Sequence, residues 1–361
     1  MSNHRWSTVE AWAWFETQPW LVGCNYIPRT AVNQLEMWQS ATFDLETIDQ
    51  ELGWAAGLGM NTVRVFLHDL LWRGEGEKFL DRVDQFLEIA SRHGIRTLVV
   101  LFDDCWHDGA KPGAQPPPVP GVHNSRWLQS PGRRAARDRG TWVRLEQYVK
   151  AVVGRFRDDD RVLGWDITNE VTNHYLPALE LVPPIRAIAL TAVRVRQRLS
   201  RPVTVELMVA AFGWARSVDP TQPLTAGAWR KSSGELNRTL FELSDIITFH
   251  NYEPLSELAQ QVDELQQLNR PTLCTEWLAR GYDSEIATHI PFFRSQKVGC
   301  LNWGLVDGKT QTTVRWKWAS PRLRRTLPWF HDLLRRDGTP YREEEAFVLR
   351  NETHAANGSR S

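Results

Sequence analysis

The strongest constraint on this chain is a rhythm. Short β-rich apolar runs recur along it, and most are followed by a segment with helical spacing. The candidate strands are Leu21–Tyr26, Thr62–Leu67, Thr97–Phe102, Leu163–Thr168, Val203–Met208, Ile246–His250, Thr272–Trp277 and Cys300–Leu305. Helical periodicity marks Asp44–Ala56, Glu77–His93, Trp142–Phe156, Ile185–Leu199, Leu255–Leu268, Ser284–Gln296 and a last segment, Pro321–Arg336. In Glu77–His93, residues Phe79, Leu80, Val83, Phe86, Leu87 and Ala90 fall at three- and four-residue steps, giving one apolar stripe that faces a sheet. Strands alternating with such helices form parallel βαβ units, and eight units close most naturally into a (β/α)8 barrel. An open doubly wound sheet is disfavoured, because no Gly-rich phosphate turn follows the first strand.

Two stretches break the rhythm. The first, His107–Gly140 after the third strand, is rich in Pro, Gly and Arg and is expected to be a lid or wall. The second begins after Phe347, where the pattern stops; residues 1–347 are assigned to one (β/α)8 domain and 348–361 to a tail that frays. Lys and Arg total 43 against 43 Asp and Glu, so the chain lacks the basic excess of a nucleic-acid binder. It has no apolar stretch long enough for a membrane span, and Met1–Trp20 has no apolar run like that of a secretory signal. Cys24, Cys105, Cys274 and Cys300 are scattered without C-x-x-C spacing and read as reduced thiols; a cytoplasmic location is the expectation.

In a barrel of this kind, the C-terminal strand ends surround the active site. Here they carry Asn25 and Tyr26; Arg64, then His68 and Asp69; Asp103 and Asp104; Asn169 and Glu170; Glu206; His250 and Tyr252; Glu276; and Trp303. A lone Glu at such a position is often the partner of a buried Arg or His. Two of them on opposite sides of the mouth, at Glu170 and Glu276, suit another task. Glycosidic hydrolysis with retention needs two carboxyl groups about 5–5.5 Å apart, one as acid/base and one as nucleophile.

The segment Gly164-Trp165-Asp166-Ile167-Thr168-Asn169-Glu170 resembles the strand-four signature of clan A glycoside hydrolases, and Thr272-Leu273-Cys274-Thr275-Glu276-Trp277 resembles their strand-seven nucleophile segment. Arg64 in Asn61–Phe66 matches the strand-two arginine, His250 and Tyr252 the strand-six pair, and Trp303 the strand-eight aromatic platform. The ending, Trp329–Leu334 with Asp337–Tyr341, is similar to that of many cellulase-like family 5 members. Val171 departs from the pattern, standing where the clan often has proline. The resemblance implies a retaining β-glycosidase with Glu170 as acid/base and Glu276 as nucleophile.

The remaining roles follow from chemistry. Arg64 and Tyr252 are suited to keeping Glu276 ionised, and a second carboxylate nearby should raise the pKa of Glu170. Asn169 is suited to a sugar 2-hydroxyl. His250 either orients Glu170, binds substrate or is a structural histidine. Trp303, Trp277 and Trp106 follow strands and are candidate stacking faces among 18 tryptophans, with Trp38 and Trp127 as weaker ones. Asn25, His107, Asp103 and Asp104 are candidate partners of sugar hydroxyls, and Cys105 reads equally as inert packing. Arg133, Arg134, Arg137 and Arg139 read as a solvated face. No ligand spacing supports a metal, and no cofactor is expected. The expected partner is an oligosaccharide, with neither nucleic acid nor membrane; oligomeric state is left open. The preferred substrate is a short gluco- or manno-configured chain cut from its end, in the manner of a β-mannosidase or β-glucosidase. The alternatives are an endo-acting β-1,4-glucanase, xylanase or mannanase and a non-catalytic sugar-binding barrel. A barrel lyase or aldolase would want a strand-end Lys, which none of the eight runs supplies.

Overall fold

A computed structural model of the chain describes residues 4–173, 203–231, 234–316 and 328–358. Its centre is an eight-stranded sheet of parallel pairs: β1 (Val22–Asn25), β2 (Thr62–Phe66), β3 (Arg96–Asp103), β4 (Val162–Asn169), β5 (Leu224–Thr225), β6 (Ile247–His250), β7 (Thr272–Glu276) and β8 (Gly299–Trp303). The order β5-β4-β3-β2-β1-β8-β7-β6 carries the sheet round on itself, and a parallel bridge between Ala228 and Phe249 joins its two ends. This is a (β/α)8 barrel, with the long insert after the third strand.

Side chains fill the barrel in layers. At the bottom, Leu21, Leu163, Ile246 and Leu273 make an apolar plug, covered by Trp14 and Phe15 of the N-terminal helix Thr8–Glu16. Above it lie buried Arg64 and Asp166, and at the mouth Phe66, Val100, Trp127 and Trp303 form a separate cluster. The helix Glu77–Arg92 buries Phe79, Leu80, Val83, Phe86, Leu87 and Ala90, the stripe read from the sequence. Helices also form at Leu45–Gly57, Arg139–Arg155, Leu255–Gln266 and Ile286–Ser295, close to the expected segments; Ile185–Leu199 lies outside the described residues.

Three expectations change. Val203–Met208 is helical, within residues 203–216, and the fifth strand is the two-residue Leu224–Thr225. The β-branched Val203 and Val205 suggested a strand, but Thr204, Leu207, Met208, Ala211, Phe212 and Ala215 are the buried positions, a helical period. Glu206 is therefore an exposed helix residue paired with Arg139, away from any strand end. The tail does not fray at Phe347: residues Glu343–Gly358 form a helix that buries Leu349 and Thr353 against the molecule. In the proposed last helix Pro321–Arg336, the described part, 328–336, is irregular and anchored by the bridges of Leu334 to Val306 and Pro340.

Candidate active site

The strand ends converge on one guanidinium. Arg64, fully buried on β2, donates from Nε and Nη2 to Asp166 Oδ2 at 3.0 and 2.8 Å, and from Nη2 to Asn169 Oδ1 at 2.8 Å. Its Nη1 donates to Asn25 Oδ1 at 2.9 Å and to Glu276 Oε1 at 2.8 Å. Such a charge is tolerated in a barrel interior because its donors are matched by acceptors. Asn25 is itself pinned by donating to the carbonyls of Thr275 and Asn302, so it positions Arg64 and is not a free sugar ligand.

Glu276 ends β7, where a bulge sets it opposite His250. Its Oε2 accepts the Tyr252 hydroxyl at 2.8 Å, and His250 Nδ1 lies 3.4 Å away. The same nitrogen is 2.9 Å from Glu170 Oε1. Glu170 stands just past β4 with φ +44, a left-handed backbone that is uncommon outside glycine and turns the carboxyl toward the barrel axis. Its Oε2 accepts from Cys105 Sγ at 2.7 Å and from Asn173 Nδ2. Ligand-capable atoms of Glu170, His250 and Glu276 all lie within 4.8 Å of one another. That spacing fits the shorter of the two carboxylate separations used in glycosidic hydrolysis, and is well below the roughly 6.5–9.5 Å that leaves room for a water.

The electrostatics differ from the expected resting state. Burial and the Glu170 charge push Glu276 up, against His250, Arg64 and Tyr252. Burial also acts to raise Glu170, but the hydrogen bond and charge of His250, with donors Cys105 and Asn173, hold it below the usual carboxylate range. A second carboxylate thus does not raise Glu170 here, because His250 sits closer to it than to Glu276. The three residues resemble a metal ligand set, yet Glu276 already accepts from Arg64 and Tyr252, and Glu170 from Cys105 and Asn173. A cation would have to displace those donors and sit beside a buried guanidinium.

Other candidates separate by what they touch. Trp303 remains at the mouth, 8% exposed, edge-on to Phe66 and Trp127 at 5.7 and 5.4 Å between ring centroids. Trp277 points the other way, as strand alternation requires of the residue after Glu276, and stacks on His289 at 5.7 Å in the barrel–helix layer. Trp38 is likewise buried packing, its indole donating to the Phe66 carbonyl. Asp103 is enclosed: it accepts from Trp127, Asn169, Gln34 and the Cys105 amide, and burial pushes it up to about 8. Asp104 receives the Thr172 amide, while Trp106, just before the insert, and His107, its first residue, are half-buried, with Trp106 beside His123. His68 and Asp69 form a buried structural pair with Arg144 and Ser130.

The insert is tied back to the barrel by hydrogen bonds. It bridges back to the end of β3 at Ser130, and Gln34 and Asn33 from the first loop clasp Leu128, Arg126 and Gln115. Trp127, expected only as a weak stacking candidate, is 2% exposed and closes over Phe66. Sequence reasoning passed over Asp166 and Asn173. Asp166 had a legible signal, since it shares the inward face of β4 with Thr168; Asn173 had none, because its reach depends on the left-handed turn at Glu170.

Residues 30–309 match Cellulase, glycosyl hydrolase family 5. The chain belongs to that family. A 95-residue stretch is 30% identical to the probable mannan endo-1,4-beta-mannosidase A-1 of Aspergillus terreus, covering 26% of this chain and 22% of that protein. The chain therefore aligns with well under two thirds of the length of the curated relatives it matches. Among solved structures, the exo-beta-1,4-mannosidase Op5Man5 from an Opitutaceae bacterium superposes with TM-score 0.59 at 18% identity, over 93% of this chain and 60% of that one. A GH5_18 variant from Streptomyces cattleya, in complex with Manβ1-4GlcNAc, gives TM-score 0.58 at 16% identity over 95% and 81%. The endo-beta-1,4-mannanase from Thermotoga petrophila gives 0.56 at 14% over 96% and 79%. Likeness at such low identity speaks for the fold.

Proposed function

We propose that this protein is a retaining, exo-acting β-mannosidase-type enzyme that removes one sugar from the end of short β-linked oligosaccharides. The observation that carries retention is that a carboxyl oxygen of Glu170 lies within 4.8 Å of one of Glu276, with His250 beside both. Glu276 attacks the anomeric carbon while Arg64 and Tyr252 hold its two oxygens. Glu170 protonates the departing oxygen, then activates the water that releases the glycosyl ester. One Asn169 amide hydrogen is committed to Asp103; the second donates to the sugar 2-hydroxyl. Trp303 supplies the platform for the ring that is released.

Exo action is supported by the insert. The released ring lies toward β8, β1 and β2, while the leaving group departs past Glu170 on β4. Trp127 packs edge-on against Phe66 and Trp303 at the mouth, and on this reading it ends the cleft on the first of these sides. The manno preference is supported by the substrates named for the relatives. With Glu170 held low and Glu276 pushed up, a proton shared by the pair favours Glu276 before substrate binds; the first step uses the form that carries it on Glu170.

A panel of aryl β-mannoside, glucoside, xyloside and galactoside, with β-1,4-manno-oligosaccharides and Manβ1-4GlcNAc, tests the assignment. The expected result is preference for the mannoside, release of single sugars, and a β-anomer as the first product by proton NMR. An α-anomer overturns retention, and internal cleavage of mannan overturns exo action.

A further inference from the structure

Cys105 lies one residue beyond Asp104 at the end of β3, on a turn made by its own amide donating to Asp103 Oδ1 at 2.8 Å and by Trp106 at φ +66. That turn brings the thiol to 2.7 Å from Glu170 Oε2, while Asn173 Nδ2 reaches both the same oxygen and, at 3.5 Å, the sulfur. His250 occupies the opposite oxygen, Oε1. We propose that Cys105 is a positioning residue for the acid/base, its thiol hydrogen holding the Glu170 carboxyl in the orientation that faces Glu276. The inference rests on Glu170 being the acid/base.

The thiol suits this task because it remains protonated. Burial, together with the neighbouring Glu170 and Asp103 carboxylates, pushes it well above its ordinary value, so it acts as a neutral donor and not as a nucleophile. Against a carboxylate, a neutral donor stabilises the charged form. The other groups facing Glu170 are His250 and Tyr252 from the end of β6, Glu276 from β7 with Arg64 of β2 behind it, and Asp103 and Asp104 beside Cys105. Only His250, Cys105 and Asn173 donate to Glu170 among the described residues. Loss of the thiol leaves Oε2 with Asn173 alone.

The experiment compares wild type, C105A and C105S across pH on two aryl β-mannosides. One has a leaving group that needs protonation and the other a dinitrophenyl group that does not. In C105A the alkaline limb of kcat/KM is expected to move up by about one pH unit, the size of one lost hydrogen bond to a charged group. The poor leaving group should lose about tenfold in kcat/KM from misorientation, with the dinitrophenyl substrate unchanged. C105S, which keeps a donor, should restore both. An unmoved limb in C105A, an equal loss on both substrates, or C105S behaving like C105A overturns the proposal. A wild-type enzyme that hydrolyses neither glycoside overturns the functional reading instead, whereas an active wild type with an insensitive C105A overturns only the role of Cys105.

Discussion

Replacing Trp127 with Ala removes the ring that, on the proposed reading, closes the pocket, and its cost can be worked from its contacts. The indole is almost fully buried, meets Phe66 and Trp303 edge-on at 5.0 and 5.4 Å, and donates to Asp103 at 2.7 Å. Truncating a buried Trp to Ala costs about 3–5 kcal/mol, a large part of the roughly 5–15 kcal/mol that holds a domain together. The variant should therefore melt lower but remain folded, because the ring belongs to the mouth cluster and not to the barrel–helix core. W127F keeps the ring contacts and loses the indole N–H, at a cost of about 1 kcal/mol, so it separates stability from closure. With Trp127 gone, edges of Phe66 and Trp303 become available to a further sugar. A contact of about 1 kcal/mol with those rings raises kcat/KM for a tetrasaccharide relative to a disaccharide by about fivefold. The assay is kcat/KM on β-1,4-manno-oligosaccharides of two to five units, with products resolved by chromatography. W127A should begin to release disaccharide, while W127F should keep releasing single sugars. An unchanged chain-length preference in a folded W127A would refute the idea that this residue ends the cleft.

Glu276→Ala should retain folding, lose several orders of magnitude in activity and, with azide and an activated mannoside, yield the α-glycosyl azide; Glu170→Ala should keep the first step on dinitrophenyl mannoside and yield the β-azide, and the reverse pattern would exchange the two roles. The pH dependence of kcat/KM should place its optimum on the acid side of neutrality, because Glu170 is held low and must carry a proton in the first step; an optimum above pH 8 would contradict this. Asp332, enclosed with Thr312 as donor, is pushed up to about 8 by burial. Its folded value exceeds its unfolded one, so it stabilises fully below about pH 4 and that contribution is lost as pH rises toward 8; the melting temperature should fall over this window, and less so in Asp332→Asn. Chelator should leave activity unchanged, since the donors on Glu170 and Glu276 already fill the positions a cation would need; loss on EDTA with recovery on a divalent ion would say otherwise.

The linear order of residues determined the architecture and which polar residues stand at the strand ends. Apolar periodicity in segments such as Glu77–Arg92 is written in local spacing, and a residue at the end of a parallel strand faces the mouth once the barrel closes. Glu170, Glu276, Arg64, His250 and Tyr252 were legible for that reason. Where two local readings competed, as at Val203–Met208, only burial against the rest of the fold selected the helix. Trp277 follows the same logic: its neighbour Glu276 claims the inward direction, so the indole must pack outward on His289.

The tertiary structure alone decided which partners each of these groups meets. Asn25 and Asp103 look like sugar ligands in the sequence, but each is consumed by partners far along the chain, Arg64 and Thr275 for one, Trp127 and Asn169 for the other. The order of proton affinities between the two carboxyl groups depends on His250 lying 2.9 Å from Glu170 and 3.4 Å from Glu276, and on Cys105 reaching Glu170 across a turn. Hydrogen bonds and desolvation act over a few ångströms between residues 65 to 80 positions apart, and no local pattern encodes such distances.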